Sequence, residues 1–175
     1  MKHVNTRWLS LERAVERVLQ QYAALKSYFA SEHDTNSRFL QLQKLFADPM
    51  TKVYLCFYQA TLQTFVHFNQ FLQREDPIIS LVDQQIQSFL TKLAGKFLTI
   101  HTIKVAKSDL TKLKFDTSVQ LPDGSIFVGM TTKTQLTKLF AEGDITHGQY
   151  SKFFKGVRGI LCESYGVCSL KSANE

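Results

Sequence analysis

Apolar side chains recur every three or four residues in the first part of the chain. The residues on this stripe are Leu11, Val15, Val18, Tyr22, Leu25 and Phe29. Such spacing places them on one face of a helix, and charged residues such as Arg13 and Glu16 lie off that face. Ser10 is of a residue type that caps helix N-termini. The pattern therefore predicts an amphipathic helix over residues 11–30.

Two Asp-Pro pairs mark the starts of further helices. Asp48 precedes Pro49 and Asp76 precedes Pro77, and an Asp cap followed by Pro at the first helical position is a strong start signal. The helices predicted here cover residues 37–47, 49–75 and 78–97. The segment 49–75 is apolar nearly all round, which is typical of a helix buried among others. The sequence predicts antiparallel helices stacked around this long, buried central helix.

Residues 98–130 break the helical periodicity. The sequence Leu121-Pro122-Asp123-Gly124 has turn composition, and it lies between two segments in which apolar positions alternate. A short β-hairpin and an irregular packed crossing both fit this pattern. Helices resume over 131–168, and the polar tail 169–175 is expected to fray. The predicted fold class is mainly α: a multi-helix bundle with an N-terminal helical part over 1–97 and a hairpin or irregular crossing near 98–130.

The charge of the chain is concentrated in its second half. The formal net charge is +6. One basic zone contains Lys92, Lys96, Lys104, Lys107, Lys112 and Lys114, with Asp109 as the single acid among them. Such a zone can bind phosphates. The alternative is a solvated, Lys-rich connector, and composition favours it because no Arg, Tyr or Trp interleaves these lysines.

No pattern in the chain points to catalysis or to a cofactor. The phosphate-loop, dinucleotide-binding, zinc-protease and serine-hydrolase motifs are all missing from the sequence. The five His are scattered, and Cys162 and Cys168 are six residues apart, which is not a zinc-ligand spacing. Cys56 lies in an apolar helical pattern, which makes a thiol unreactive. We expect no catalytic residue, no metal site and no cofactor.

The N-terminus has no apolar stretch that could serve as a signal peptide. No run reaches the roughly 18 apolar residues that a membrane-spanning helix needs. The sequence therefore predicts a soluble, intracellular protein with no membrane partner.

The only Trp of the chain stands beside an Arg at Arg7-Trp8. Trp and Arg are residues that stack on bases and pair with phosphates. The alternative is that Trp8 packs against the start of the helix, as apolar residues just ahead of a cap often do. Composition alone favours that packing role.

The sequence around this pair is similar to a known family. Thr6-Arg7-Trp8-Leu9-Ser10, together with residues 11–19, resembles the hAT superfamily of transposases and their domesticated relatives. Further similar stretches follow in the same order up to about Tyr165. They are residues 24–29, Asp48-Pro49 with Lys52, Tyr54 and Leu55, residues 72–79, residues 121–123, Val128-Gly129 and residues 153–158.

The resemblance implies a place within a larger catalytic protein. Transposases of this family have an RNase H-like domain with three metal-binding acids, and a helical insertion separates the first two acids from the third. The chain resembles that insertion, which implies that it lacks the acidic triad and is not an enzyme. The resemblance also implies a DNA contact at Arg7 and Trp8, because the family's Trp acts beside the transposon end. Gly156 and Gly159 depart from the pattern, since helix formers are expected there.

The expected function is that of a non-catalytic fragment of a hAT transposase-like protein that contributes to DNA binding. Its partners would be DNA and the other parts of a longer transposase-like protein, and the resemblance implies a nuclear location. The family's zinc finger and C-terminal dimerisation segment are not recognisable here. Three alternatives stay open: a helical protein-interaction module of a domesticated transposase, a vestigial fragment, and an enzyme part that acts only with the missing catalytic strands.

Overall fold

The computed structural model describes residues 7–75, 79–106 and 115–164, without the side chains of residues 7–9. Eight α-helices lie within these residues. They are α1 (Arg7–Gln20), α2 (Tyr22–Ser31), α3 (Ser37–Ala47), α4 (Pro49–Leu72), α5 (Ile79–Ala94), α6 (Ile100–Val105), α7 (Met130–Ala141) and α8 (His147–Ser164). The prediction of a mainly α fold is confirmed. The predicted frayed tail, 169–175, lies outside the described residues.

The first predicted helix is two helices in the structure. Gln21 separates α1 from α2 with a ψ of 9°, far from the helical value, although Gln21 and Leu25 still donate helical hydrogen bonds to Arg17 and Gln21. The helix also starts at Arg7, earlier than predicted. Ser10 therefore lies inside α1 and is not its N-cap, so the prediction of an N-cap at Ser10 was wrong.

The starts of α3 and α4 follow from local capping. Asn36 accepts a hydrogen bond from the Arg38 amide at 2.9 Å, and α3 has the predicted bounds 37–47. The carboxylate of Asp48 accepts from the Met50 amide at 2.8 Å, and Pro49 occupies the first helical position. The start signal at Asp48-Pro49 is thus confirmed, because the side chain satisfies an amide that no helical carbonyl can reach. Asp76 and Pro77 lie outside the described residues.

The longest described helix, α4, is buried on part of its circumference only. It has 24 residues and ends at Leu72, three residues earlier than predicted. Val53 and Phe57 are fully buried, whereas Tyr58 is 38% exposed and Leu72 is 44% exposed. The prediction of a helix buried all round was therefore too broad, since α4 has a buried face and a face that solvent reaches.

The β-hairpin predicted as one alternative for residues 98–130 does not form in the described residues. Residues 115–128, called the crossing below, contain two short 3-10 turns, Thr117–Val119 and Asp123–Ser125, and a single antiparallel bridge joins Gln120 to Leu98. The two sides of the crossing form hydrogen bonds with the residues that follow α5, and not with each other. Leu121 donates to the Phe97 carbonyl and Phe127 to the Lys96 carbonyl, each at 2.8 Å. The irregular alternative is the one that the structure adopts.

The chain divides into two compact units, each with its own core. The first comprises residues 1–66 and 129–147, and the second comprises 67–128 and 148–175. The first contains an aromatic cluster of Tyr22, Phe29 and Phe46, against which Val18, Leu25, Phe39 and Leu55 pack. The fully buried side chains of the second include Leu93, Phe97, Leu98, Phe153, Val157 and Leu161. Each unit thus buries enough apolar surface to form a core.

Candidate nucleic-acid interface

The Arg7-Trp8 pair begins α1. Its backbone is helical from Arg7 onward, while the two side chains lie outside the described part of the structure. Because Ser10 is not the cap, Trp8 does not precede a cap, and the packing role suggested from composition stays a prediction. Amides of the first helical turn have no carbonyl partner within the helix and carry partial positive charge. The pair is therefore at the end of α1 that attracts anions.

The predicted basic zone is only partly within the described residues. Lys92 lies in the last turn of α5 and Lys104 in the last turn of α6, and both are exposed. Lysines in a last helical turn also interact favourably with the helix dipole, which gives them a structural role besides any ligand. Lys107, Lys112 and Lys114 lie outside the described residues, so their part of the prediction stays a prediction.

Lys96 does not behave as a solvated connector lysine. Its ammonium group lies 4.0 Å from the centre of the Phe127 ring, which is a close cation–π distance. The side chain is half-buried. Burial lowers the pKa of Lys96 from its ordinary value, because desolvation disfavours the charged form. The interpretation of the basic zone as a solvated connector therefore does not hold at Lys96.

Phe127 is the functional candidate that sequence reasoning missed. Ile126, the residue before it, has extended backbone angles, and in an extended chain successive side chains point in opposite directions. Ile126 and Val128 are buried, while Phe127 is 46% exposed. The amide of Phe127 also donates to the Lys96 carbonyl at 2.8 Å. The alternation of Ile126 and Val128 was visible in the sequence, but nothing in the sequence indicated that Lys96 lies against the ring between them.

Arg158 of α8 holds the turn of the crossing in place. Its guanidinium forms an ion pair with the Asp123 carboxylate and donates to the Leu121 carbonyl, the latter at 3.0 Å. Asp123, interpreted from sequence as a turn residue, thus also has an ionic partner. Since Arg158 is occupied in this way, we assign it a structural role.

The described residues offer little for metal or thiol chemistry. Nowhere in the described part of the chain do three His, Cys, Asp or Glu residues come close enough to hold a metal ion. Cys56 and Cys162 are buried and form no disulfide, and burial raises the pKa of the Cys56 thiol, which keeps it protonated and unreactive. Cys168 lies outside the described residues.

A small pocket of about 300 Å³ lies between α3 and the loop that precedes it. His33, Asp34, Thr35, Leu40 and Gln43 line it. Two of its polar groups already have partners, since Asp34 accepts from the Asn36 amide and Gln43 donates to the Phe29 carbonyl. The pocket therefore has few polar groups left to orient a ligand.

Among the described residues, no helix has the length and apolar character needed to cross a membrane.

Comparisons of the chain with protein-family models, with curated proteins and with solved structures found no match.

Proposed function

We propose that this chain is a non-catalytic, DNA-binding helical module related to the insertion of hAT transposases, and that it contacts DNA through Arg7 and Trp8. The observation that carries the proposal is the Arg7-Trp8 pair at the start of α1, within the most specific stretch of the resemblance. An indole that stacks on a base and a guanidinium that pairs with a phosphate suit the end of a DNA duplex.

The charge of the chain supports this proposal. The net charge of +6 attracts polyanions, and the exposed Lys92 and Lys104 add cations on α5 and α6. A module that binds in this way uses phosphate contacts for most of its affinity, so its binding weakens as salt rises.

The test is the affinity of the chain for duplex and hairpin DNA across a series of salt concentrations. Wild-type protein is expected to bind with a clear salt dependence, and Arg7→Ala with Trp8→Ala to weaken hairpin binding roughly ten-fold or more. Arg13→Ala is the matched control, because Arg13 is exposed on the same helix and its loss removes the same charge. Equal affinities of the double variant and Arg13→Ala would remove the basis for a contact at Arg7-Trp8.

The chain has a second candidate function, that of a protein-interaction module. From Val53 to Gln73 the sequence has no Asp, Glu, Lys or Arg. Leu72 at the end of α4 and Leu81 near the start of α5 are each nearly half exposed. Few charges and exposed apolar side chains are typical of a protein interface. Sedimentation velocity over a wide concentration range tests the simplest form of this function, in which wild type self-associates and Leu72→Lys with Leu81→Lys does not.

A further inference from the structure

The contact between Lys96 and Phe127 places an aromatic ring inside the basic zone. Composition argued against nucleic-acid binding by these lysines because no Arg, Tyr or Trp interleaves them in the sequence. The one Phe between them, Phe97, is fully buried. The fold supplies the missing ring, since Phe127 is brought to Lys96 from 31 positions further along the chain. Exposed lysines lie at Lys92, four residues before Lys96, and at Lys104 on α6.

The ring is held so that part of it stays open to solvent. Lys96 lies over one face at 4.0 Å, yet 46% of the Phe127 residue is exposed. The hydrogen bond from the Phe127 amide to the Lys96 carbonyl fixes the two residues to each other through the backbone. Ile126 and Val128 anchor the segment on either side by burial. The ring is therefore presented on a rigid support, which lowers the entropic cost of binding.

We infer that Phe127, with Lys96 and Lys92, forms a stacking site for an unpaired base of single-stranded nucleic acid. A base would stack on the exposed part of the ring, and the lysines would meet the adjoining phosphates. Aromatic rings among cations are the usual means of binding single strands. A paired base within a duplex is already stacked on both faces and is not available to the ring. The inference rests on the proposed DNA-binding function. It specifies that this second site binds single-stranded DNA.

The burial of Lys96 fits this role. Its ammonium has lost part of its hydration in the folded protein, so a phosphate or base that approaches it displaces less water than at a fully exposed lysine. The lysine also lies on the ring that would stack, and a cation on one face of an aromatic ring is compatible with a base on the other.

The experiment measures fluorescence anisotropy of a labelled oligothymidine of about 15 nucleotides, a length that spans one binding site, with the full chain. The same backbone without bases and a duplex of mixed sequence are measured in parallel. Wild type should bind the oligothymidine at least several-fold more tightly than the abasic strand. Phe127→Leu should weaken oligothymidine binding roughly five- to thirty-fold and leave abasic and duplex binding unchanged, whereas Phe127→Tyr should retain it.

A matched control is Phe140→Leu. Phe140 is 45% exposed, lies on α7 and has a ring contact with His147, so its loss removes the same kind of side chain from a helix instead of from the crossing. It should bind the oligothymidine as wild type does. Equal losses from Phe127→Leu and Phe140→Leu would overturn the stacking site. So would equal wild-type affinity for the base-bearing and abasic strands, a result that does not depend on how any variant folds.

The outcomes separate this inference from the proposed function. Hairpin binding that depends on Arg7 and Trp8, together with no effect of Phe127→Leu on the oligothymidine, would overturn the stacking site and leave the proposed function standing. The reverse pattern would support the stacking site and remove the Arg7-Trp8 contact. A wild-type chain that binds neither form of DNA would overturn both.

Discussion

The aromatic cluster of α2 and α3 and the crossing are held together by different forces. In the cluster, Phe29 stacks on Phe46 with ring centres 5.1 Å apart and also contacts Phe39 at 5.3 Å. In the crossing, a few directional bonds fix the chain: those from Leu121 and Phe127 to the residues that follow α5, and those of Arg158. The cluster is stabilised mainly by buried aromatic area, whereas the crossing combines the burial of Ile126 and Val128 with these specific bonds.

This difference has consequences for stability. Burying a large aromatic side chain contributes several kcal/mol, whereas the net contribution of one hydrogen bond is about 1 kcal/mol. The cluster should therefore be sensitive to loss of volume. The crossing should lose less free energy of unfolding from a single change, but its conformation should change more readily. The following predictions test that contrast, from the largest expected effect to the smallest.

Phe29→Ala should lower the free energy of unfolding by about 3–5 kcal/mol, because it leaves a cavity beside Phe46 and Phe39. Chemical denaturation followed by circular dichroism measures the change. Tyr28→Ala is the matched control, since Tyr28 directly precedes Phe29 on the same helix and is 53% exposed. A loss from Tyr28→Ala as large as that from Phe29→Ala would contradict the assignment of Phe29 to the core.

Gly129→Ala should lower the free energy of unfolding by about 2–4 kcal/mol. Gly129 follows the crossing with a φ of 86°, and an added Cβ would come within 2.6 Å of the Ala60 Cβ. The strain comes both from the left-handed backbone and from this contact. The measurement is again denaturant unfolding.

The controls for Gly129 are two glycines inside α8. An added Cβ at Gly156 or Gly159 would meet nothing within 4 Å in the described structure. Because Ala favours a helix interior by up to about 1 kcal/mol over Gly, Gly156→Ala and Gly159→Ala should each be neutral or stabilising. Destabilisation at these two sites as large as that at Gly129 would mean that close contact is not what distinguishes them.

Arg158→Ala should lower the free energy of unfolding by about 1–2 kcal/mol, because it leaves the Leu121 carbonyl and Asp123 without this partner. Both charged side chains are partly exposed, which keeps the effect modest. The sharper readout is hydrogen exchange: the amides of Leu121 and Phe127 should exchange faster, while amides of α2 should not change.

Lys138→Ala is the control for Arg158. It removes an ion pair with Glu142 at 3.8 Å in which both side chains are more than half exposed, and such pairs contribute little. Unchanged exchange at Leu121 and Phe127 in Arg158→Ala would show that Arg158 does not hold the crossing.

Local chemistry in the sequence was enough to place several helices. The capping residues Asn36 and Asp48 act within two residues of their own position, so the sequence alone could predict where α3 and α4 begin. Of the predicted stripe, the structure buries Val15, Tyr22 and Phe29, whereas Leu11 is 41% exposed. The apolar stripe could not predict the break at Gln21, because it continues past this residue although the ψ of Gln21 departs from the helical value.

The candidate sites were predictable only where the signal was local. Arg7 and Trp8 are neighbours in the chain, and the exposed Lys92 and Lys104 could be expected from charge alone. Phe127 could not be found in this way, because its candidacy as a binding residue depends on which distant residue lies against its ring.

The sequence by itself determined the mainly α class, the starts of α3 and α4 and the composition of the basic zone, since periodicity, capping and charge act over short distances along the chain. The tertiary structure alone decided the path of the crossing, because its amides bond to carbonyls of Lys96 and Phe97 and its turn is held by Arg158. It also decided that the Lys96 ammonium group lies against the ring of Phe127. These partners lie more than 20 residues apart, and only the folded chain brings their atoms within bonding distance.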